Sequence, residues 1–266
     1  MAALRNWALR IPIFKQWHER RDDEFVVGDI VIEAPRPQVS RSVRKSLRKN
    51  EYETAETYLV RQLVRPGDAV LDLGSGLGLT SIAAAKASGS GRVVGYEADS
   101  AIAPLAEKNV RRNGVRVEIR NKAIAREKGV CEFHVRRSFT ASSVFPKKRS
   151  KKILIEADSF QDAVDEIQPD VLVCDIEGVE KEVFAGANLS SVRRLVVEVH
   201  PELISVLGVL KCVHDLAGSG LSLVESLSFG HVLVFDRDGS SASIEPFKSD
   251  RQMDGKTAAL PGAGVA

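Results

Sequence analysis

Two acidic stations frame a glycine-rich turn in this chain. Val70-Leu71-Asp72-Leu73-Gly74-Ser75-Gly76-Leu77-Gly78 runs from an apolar strand through Asp72 into three glycines, and Glu97 closes the next strand. Glycine lets a ligand come close to the backbone. A carboxylate at the end of the second strand can accept both hydroxyls of a ribose. Together these residues are suited to a nucleotide-type cofactor at the top of a parallel sheet. Gly74, Gly76 and Gly78 stand at i, i+2 and i+4, whereas the dinucleotide fingerprint wants its third glycine where Leu79 stands. The spacing therefore points away from NAD, and the absence of Gly-Lys-Ser/Thr excludes a Walker loop.

A second group follows a later apolar run: Asp175-Ile176-Glu177-Gly178-Val179-Glu180, with Glu198 and His200 at the end of the next strand. Strand ends on this face of an open α/β sheet border the substrate. Carboxylates crowded there are costly unless they are paired, solvated or used. A carboxylate or imidazole in hydrogen-bond reach of an acceptor takes its proton. Asp175 is the first candidate for that work, then Glu177, then His200. Asp175, Glu177, Glu198 and His200 are also a set that suits a divalent ion, but their geometry is not legible in the sequence, and no metal is expected.

The elements that must position these residues alternate strand and helix. Helices are predicted over 53–64, 79–87, 101–112, 159–167, 179–189 and 202–217, and main strands over 69–73, 92–97, 115–120, 170–175 and 194–199. Short strands are predicted over 130–135 and 153–156. Segments 221–227 and 231–235 form a terminal hairpin. Such alternation implies a doubly wound, mostly parallel α/β sheet with a C-terminal antiparallel hairpin. Residues 1–50 read as a basic N-terminal extension, 51–240 as the catalytic domain, and 241–266 as a disordered tail.

Composition is that of an ordinary globular protein: 266 residues, 44% hydrophobic and 28% charged. No apolar run approaches the roughly 18 residues that span a bilayer. Three scattered cysteines fit a reducing compartment, and a cytoplasmic location is expected. The net charge of +2 calls for no polyanionic partner. Two basic runs stand out, Arg36 to Lys49 and Lys147 to Lys152, and each is read first as a solvated face. The N-terminal segment carries Leu4, Trp7, Ile11, Phe14 and Trp17 at roughly helical spacing, which leaves peripheral membrane contact as a secondary reading.

Asp72 two residues before alternate glycines is the pattern of S-adenosylmethionine-dependent methyltransferases. The chain further resembles the FkbM family of these enzymes. The matching features are Tyr52-Glu53, Asp72 to Gly78, Tyr96-Glu97-Ala98-Asp99, Asn109 with Asn113, Lys122-Ala123-Ile124, Ser142-Ser143, Asp175 to Glu180, and Glu198-Val199-His200. The resemblance implies a class I Rossmann-like fold and S-adenosyl-L-methionine as cofactor. It also implies methylation of a hydroxyl on a sugar, glycolipid or secondary metabolite. The expected cofactor set is Asp72, Gly74, Ser75, Gly76, Gly78, Glu97, Ala98, Lys122, Ala123 and Asp175, with Asn121 to Ile124 beside the adenine. A small-molecule or glycan acceptor is expected. Nucleic acid is disfavoured, because Asp175-Ile176-Glu177-Gly178 stands where amino-group methyltransferases of nucleic acids carry Asn-Pro-Pro-Tyr. The alternatives are a nucleic-acid (RNA) methyltransferase that uses the two basic runs, and a module that binds the cofactor without catalysis.

Overall fold

The computed structural model describes residues 23–135 and 151–247. In chain order its strands are β1 (Glu24–Val27), β2 (Ile30–Glu33), β3 (Val70–Leu73), β4 (Val93–Tyr96), β5 (Glu118–Arg120) and β6 (Ala123–Ala125). They continue with β7 (Gly129–Val135), β8 (Lys151–Ser159), β9 (Val171–Cys174), β10 (Arg194–Glu198), β11 (Ser222–Leu223) and β12 (Val232–Asp236). The helices are α1 (Arg41–Lys49), α2 (Thr54–Leu63), α3 (Leu79–Ser88), α4 (Ala103–Arg112), α5 (Phe160–Ile167), α6 (Glu180–Val183) and α7 (Pro201–Gly218).

The central sheet has seven strands in the order β11-β12-β10-β9-β3-β4-β5. The run β10-β9-β3-β4-β5 is parallel, and β12 is antiparallel to both of its neighbours. This is the class I methyltransferase arrangement expected from the sequence. Strands β3, β4 and β9 are buried at every position, as strands covered by helices on both faces must be. The two-residue side-chain period divides the core. Val70 packs with Leu59, Ile82 and Ile30 on one face, while Leu71 and Leu73 pack with Phe160 and Leu195 on the other. Strand order reverses between β3 and β9, and ligands bind at such a switch point.

Two segments differ from the sequence expectations. The residues taken as an N-terminal extension enter the core from residue 24 onward: β1 pairs antiparallel with β2, and Phe25, Ile30, Ile32, Val43 and Leu47 are buried. One member of the basic run, Arg44, is only 1% exposed; it donates to the Ala34 carbonyl and pairs with Asp23. The helix expected over 179–189 is a single turn, because Gly186 adopts φ +71° and takes the chain out of the helix. The two short strands join β6 in a separate three-stranded sheet, β6-β8-β7. Residues 1–22, the loop 136–150 with Ser142 and Ser143, and the tail beyond 247 lie outside the described residues. Among the described residues, no helix is long and apolar enough to cross a membrane.

Candidate active site

A cavity opens at the C-terminal ends of β3, β4 and β9. It is lined by Tyr52, Glu53, Gly74, Gly76, Tyr96, Glu97, Ala98, Lys122, Ala123, Ile124, Phe133, Asp175, Ile176, Glu177 and Val179. Its floor is the glycine turn. The N–H groups of Gly74 and Ser75 both donate to the Tyr96 carbonyl at 2.9 Å, which bends the chain out of β3. Gly74 holds φ +87°, and a Cβ there would lie 1.8 Å from the Asp175 carbonyl oxygen. Only glycine lets these two backbone segments meet, and their contact closes one side of the cavity.

Glu97 stands at the opposite wall. Its Oε2 accepts the Gly76 N–H at 2.8 Å and its Oε1 accepts the Asp99 N–H at 2.6 Å. Burial pushes this carboxyl up to about 8, against the pull of those two donors and with repulsion from Asp99 and Asp72. Glu97 lines the cavity, and two carboxylate oxygens side by side are what a vicinal diol needs. The Asn121 amide donates to the Glu97 carbonyl at 2.8 Å and fixes the turn into β6. The ammonium of Lys122 is directed to Asp158 at 2.8 Å.

The expected cofactor residues divide. Gly74, Gly76, Glu97, Ala98, Lys122, Ala123 and Asp175 line the cavity, whereas Asp72, Ser75 and Gly78 do not. Asp72 shares Val70's side of β3, where α3 packs, and accepts the Ser81 hydroxyl. It is 2% exposed, and burial raises its carboxyl to about 6. Asp72 therefore ties the strand to the helix that opens from the turn. Ser75 is buried behind the turn, and Gly78 caps α3 at φ +83°.

Tyr52 and Glu53 supply a wall whose position the sequence did not disclose. Glu53 precedes α2 at φ +45° and accepts the Thr80 hydroxyl at 3.0 Å. Burial pushes it to about 8, opposed by hydrogen bonds from Tyr52 and Thr80. Two asparagines of α4 and its end fasten β2 beside the site. Asn109 accepts the Glu33 N–H at 2.8 Å and donates to the Leu77 carbonyl at 3.0 Å, so β2 is fastened to the glycine turn. Asn113 exchanges two hydrogen bonds with the Val31 backbone.

The acidic motif forms the third wall. Asp175 continues β9, and its N–H donates to the Leu73 carbonyl at 2.8 Å. Glu177 takes φ +53° and lines the cavity. Glu180 turns inward and is fully buried. Its Oε1 contacts His200 Nδ1 at 2.9 Å and accepts the Gly178 N–H at 3.1 Å. His200 Nε2 then lies 3.5 Å from Asp175 Oδ1 and 4.0 Å from Glu177 Oε1. All three proposed catalytic groups are thus brought together. Burial raises the Asp175 carboxyl well above its ordinary value, reinforced by Glu198. The His200 imidazole is raised to about 9, because Glu180, Asp175 and Glu177 outweigh its burial. When protonated, the His200 ring faces Asp175 and Glu177 as a donor.

Residues 54–134 match the family model described as ribosomal protein L11 methyltransferase (PrmA). A ribosomal protein L11 methyltransferase from Thermus thermophilus is 52% identical over 58 residues, 22% of this chain and 22% of that protein. One from Pelotomaculum thermopropionicum is 34% identical over 106 residues, 40% of this chain and 32% of that protein. The chain therefore spans about a fifth to a third of the length of these curated relatives. Among solved structures, a tRNA (uracil-54, C5)-methyltransferase from Pyrococcus abyssi is similar at TM-score 0.46 and 15% identity, covering 80% of this chain and 42% of that one.

These relatives correct one expectation. A small-molecule or glycan acceptor, with nucleic acid set aside, does not agree with curated relatives that are named for a ribosomal protein. The physical reason is local. The motifs that carried the resemblance surround the donor cavity, whereas an acceptor is read by surfaces beyond it.

Proposed function

We propose that this chain is an S-adenosylmethionine-dependent methyltransferase whose acceptor is a side-chain nucleophile of a protein. The observation that carries the reading is the Glu97 carboxylate, anchored by two backbone N–H groups and facing a glycine-floored cavity. The match of residues 54–134 to an L11 methyltransferase model supports it, and the names of the matched relatives supply the acceptor class. The acidic stretch Asp175 to Glu180 and the pair Glu198 and His200 keep the FkbM-type pattern within this reading.

The cavity suits this cofactor on its charge. Glu53, Glu97, Asp175 and Glu177 line it, and Asp175 Oδ1 is enclosed without a hydrogen-bond partner. A ligand bearing an ammonium and a sulfonium relieves that crowding of carboxylates. Glu97 would accept the ribose hydroxyls, each charged hydrogen bond being worth about 1.5–3 kcal/mol. Gly74 and Gly76 would admit the amino-acid portion against the backbone. Ala98, Lys122, Ala123 and Ile124, with Phe133 from the second sheet, would border the adenine. When bound, the cofactor supplies a methyl group on a sulfonium centre. Asp175 and Glu177 hold the acceptor and receive its proton. His200, clamped by Glu180, keeps Asp175 oriented.

The test is transfer of label from methyl-labelled S-adenosylmethionine to purified L11-type ribosomal protein and to a fractionated proteome. Label in a protein band that Asp175→Asn abolishes supports the reading. Absence of cofactor binding by calorimetry refutes it, and label confined to small molecules refutes the acceptor class.

A further inference from the structure

We infer that Asp175, Glu198 and His200 form a binding site for one divalent cation of the Mn2+ class. The inference goes beyond methyl transfer, and its test needs neither donor nor acceptor.

The sheet itself makes the site. Strands β9 and β10 are parallel neighbours with Cys174 opposite Val197, so the next residues, Asp175 and Glu198, leave the sheet side by side. His200 follows two residues later. One ligand atom from each of the three lies within 4.8 Å of the others. An octahedral ion of this class holds oxygen ligands at about 2.1 Å, so opposite ligands lie about 4.2 Å apart. Three ligands on one ion include at most one opposite pair, adjacent ligands lying about 3 Å apart, so binding draws the three side chains closer together than they stand.

Two further observations point to a cation. Asp175 Oδ1 is enclosed, yet it has no hydrogen-bond partner; its approach to His200 Nε2 at 3.5 Å is ionic only. Among the described residues, no lysine or arginine pairs with Asp175 or Glu198, the nearby Lys122 is engaged by Asp158, and a bound ion takes the place of the proton on His200 Nε2. A second observation concerns the ring. Glu180, fully buried, occupies Nδ1 at 2.9 Å, which fixes the imidazole and presents Nε2 to the two carboxylates. A carboxylate behind a histidine in this way is the usual outer support of a metal ligand. One imidazole beside two carboxylates favours a first-row transition ion such as Mn2+ over Mg2+, which prefers oxygen alone.

The experiment titrates Mn2+ into the full-length protein after chelator treatment, reading the loss of the free-ion electron paramagnetic resonance signal. One ion per chain is expected. Glu198→Gln and His200→Gln should each weaken binding by about 10-fold or more. Glu180→Gln keeps all three ligands and should weaken it by about 10- to 100-fold through the ring's orientation. Thermal melts establish that each variant is folded, and Glu132→Gln, on the exposed face of β7, should bind as the parent does. An unchanged free-ion signal with the parent protein overturns the inference. So does equal binding by Glu198→Gln, or an equal loss in Glu132→Gln, which would mark diffuse surface binding. Cofactor binding, measured by calorimetry on the same protein in chelator, fails or succeeds independently.

Discussion

The Glu97 carboxylate accepts the backbone N–H of Gly76 at 2.8 Å, and this one bond joins the end of β4 to the turn that leaves β3. It holds the cavity's two sides at fixed separation before any ligand arrives. Replacing Glu97 with glutamine leaves an amide with one acceptor oxygen for two buried donors. We expect cofactor affinity to fall by about 10- to 100-fold, from the loss of about 1.5–3 kcal/mol. Isothermal calorimetry checks this, and the variant should also melt at a lower temperature.

The same residue sets a pH dependence. In the fold, Glu97 keeps its proton from its ordinary 4.5 up to about 8, and Glu53 behaves likewise. The unfolded chain has released these protons across that window. The folded state then binds more protons, so stability falls as pH rises from about 4.5 to about 8 and levels off above. Cofactor binding runs the other way. The ionised Glu97 accepts both hydroxyls, so affinity should rise toward pH 8 with release of a proton. Urea melts and calorimetry over pH 5–9 test both slopes, and the affinity slope should flatten in Glu97→Gln.

Two glycine variants separate crowding from backbone strain. At Gly74 an alanine Cβ would lie 1.8 Å from the Asp175 carbonyl, whereas at Gly78 the nearest atom is 3.4 Å away. Both positions have positive φ, which costs alanine about 1–2 kcal/mol. Gly78→Ala should lose about that much stability and still bind cofactor. Gly74→Ala must also push β3's turn away from Asp175, so it should lose cofactor binding. Denaturant titration with cofactor calorimetry distinguishes them.

Asn109 is predicted to matter without touching any ligand. It is fully buried and satisfies the Glu33 N–H and the Leu77 carbonyl. Asn109→Ala leaves both unpaired, at about 1–3 kcal/mol each. Hydrogen exchange should show β2 amides opening first, with the cavity wall at Tyr52 and Glu53 loosening alongside.

Much of this was legible in the residues. Continuous apolar runs placed β3, β4, β9 and β10, and the glycine spacing located the floor of the cavity. The outward role of Asp175 and Glu177 followed from their place after a buried strand. Three features were not legible. Asp72 stands in the motif, yet its side chain faces α3, because strand alternation and the Ser81 hydroxyl decide its direction. Glu180 reads like its acidic neighbours, but a one-turn helix swings it inward to His200. Residues 24–50 carry a basic surplus that suggests an appendage, while Ile30, Ile32 and Leu47 on their inner faces make them core. Each of these depends on tertiary partners distant in the chain.

The pairing of β3 with β9 has a consequence for how the protein is made. Val70 meets Val171 across that ladder, so the cavity is walled by segments synthesised far apart. At about 5–20 residues per second on the ribosome, several seconds separate the glycine turn from Asp175. A nascent chain that ends at residue 134 holds Glu97 and the glycine turn but lacks the wall that Asp175 brings. Competence to bind therefore arrives late in synthesis, when β9 slots in beside β3.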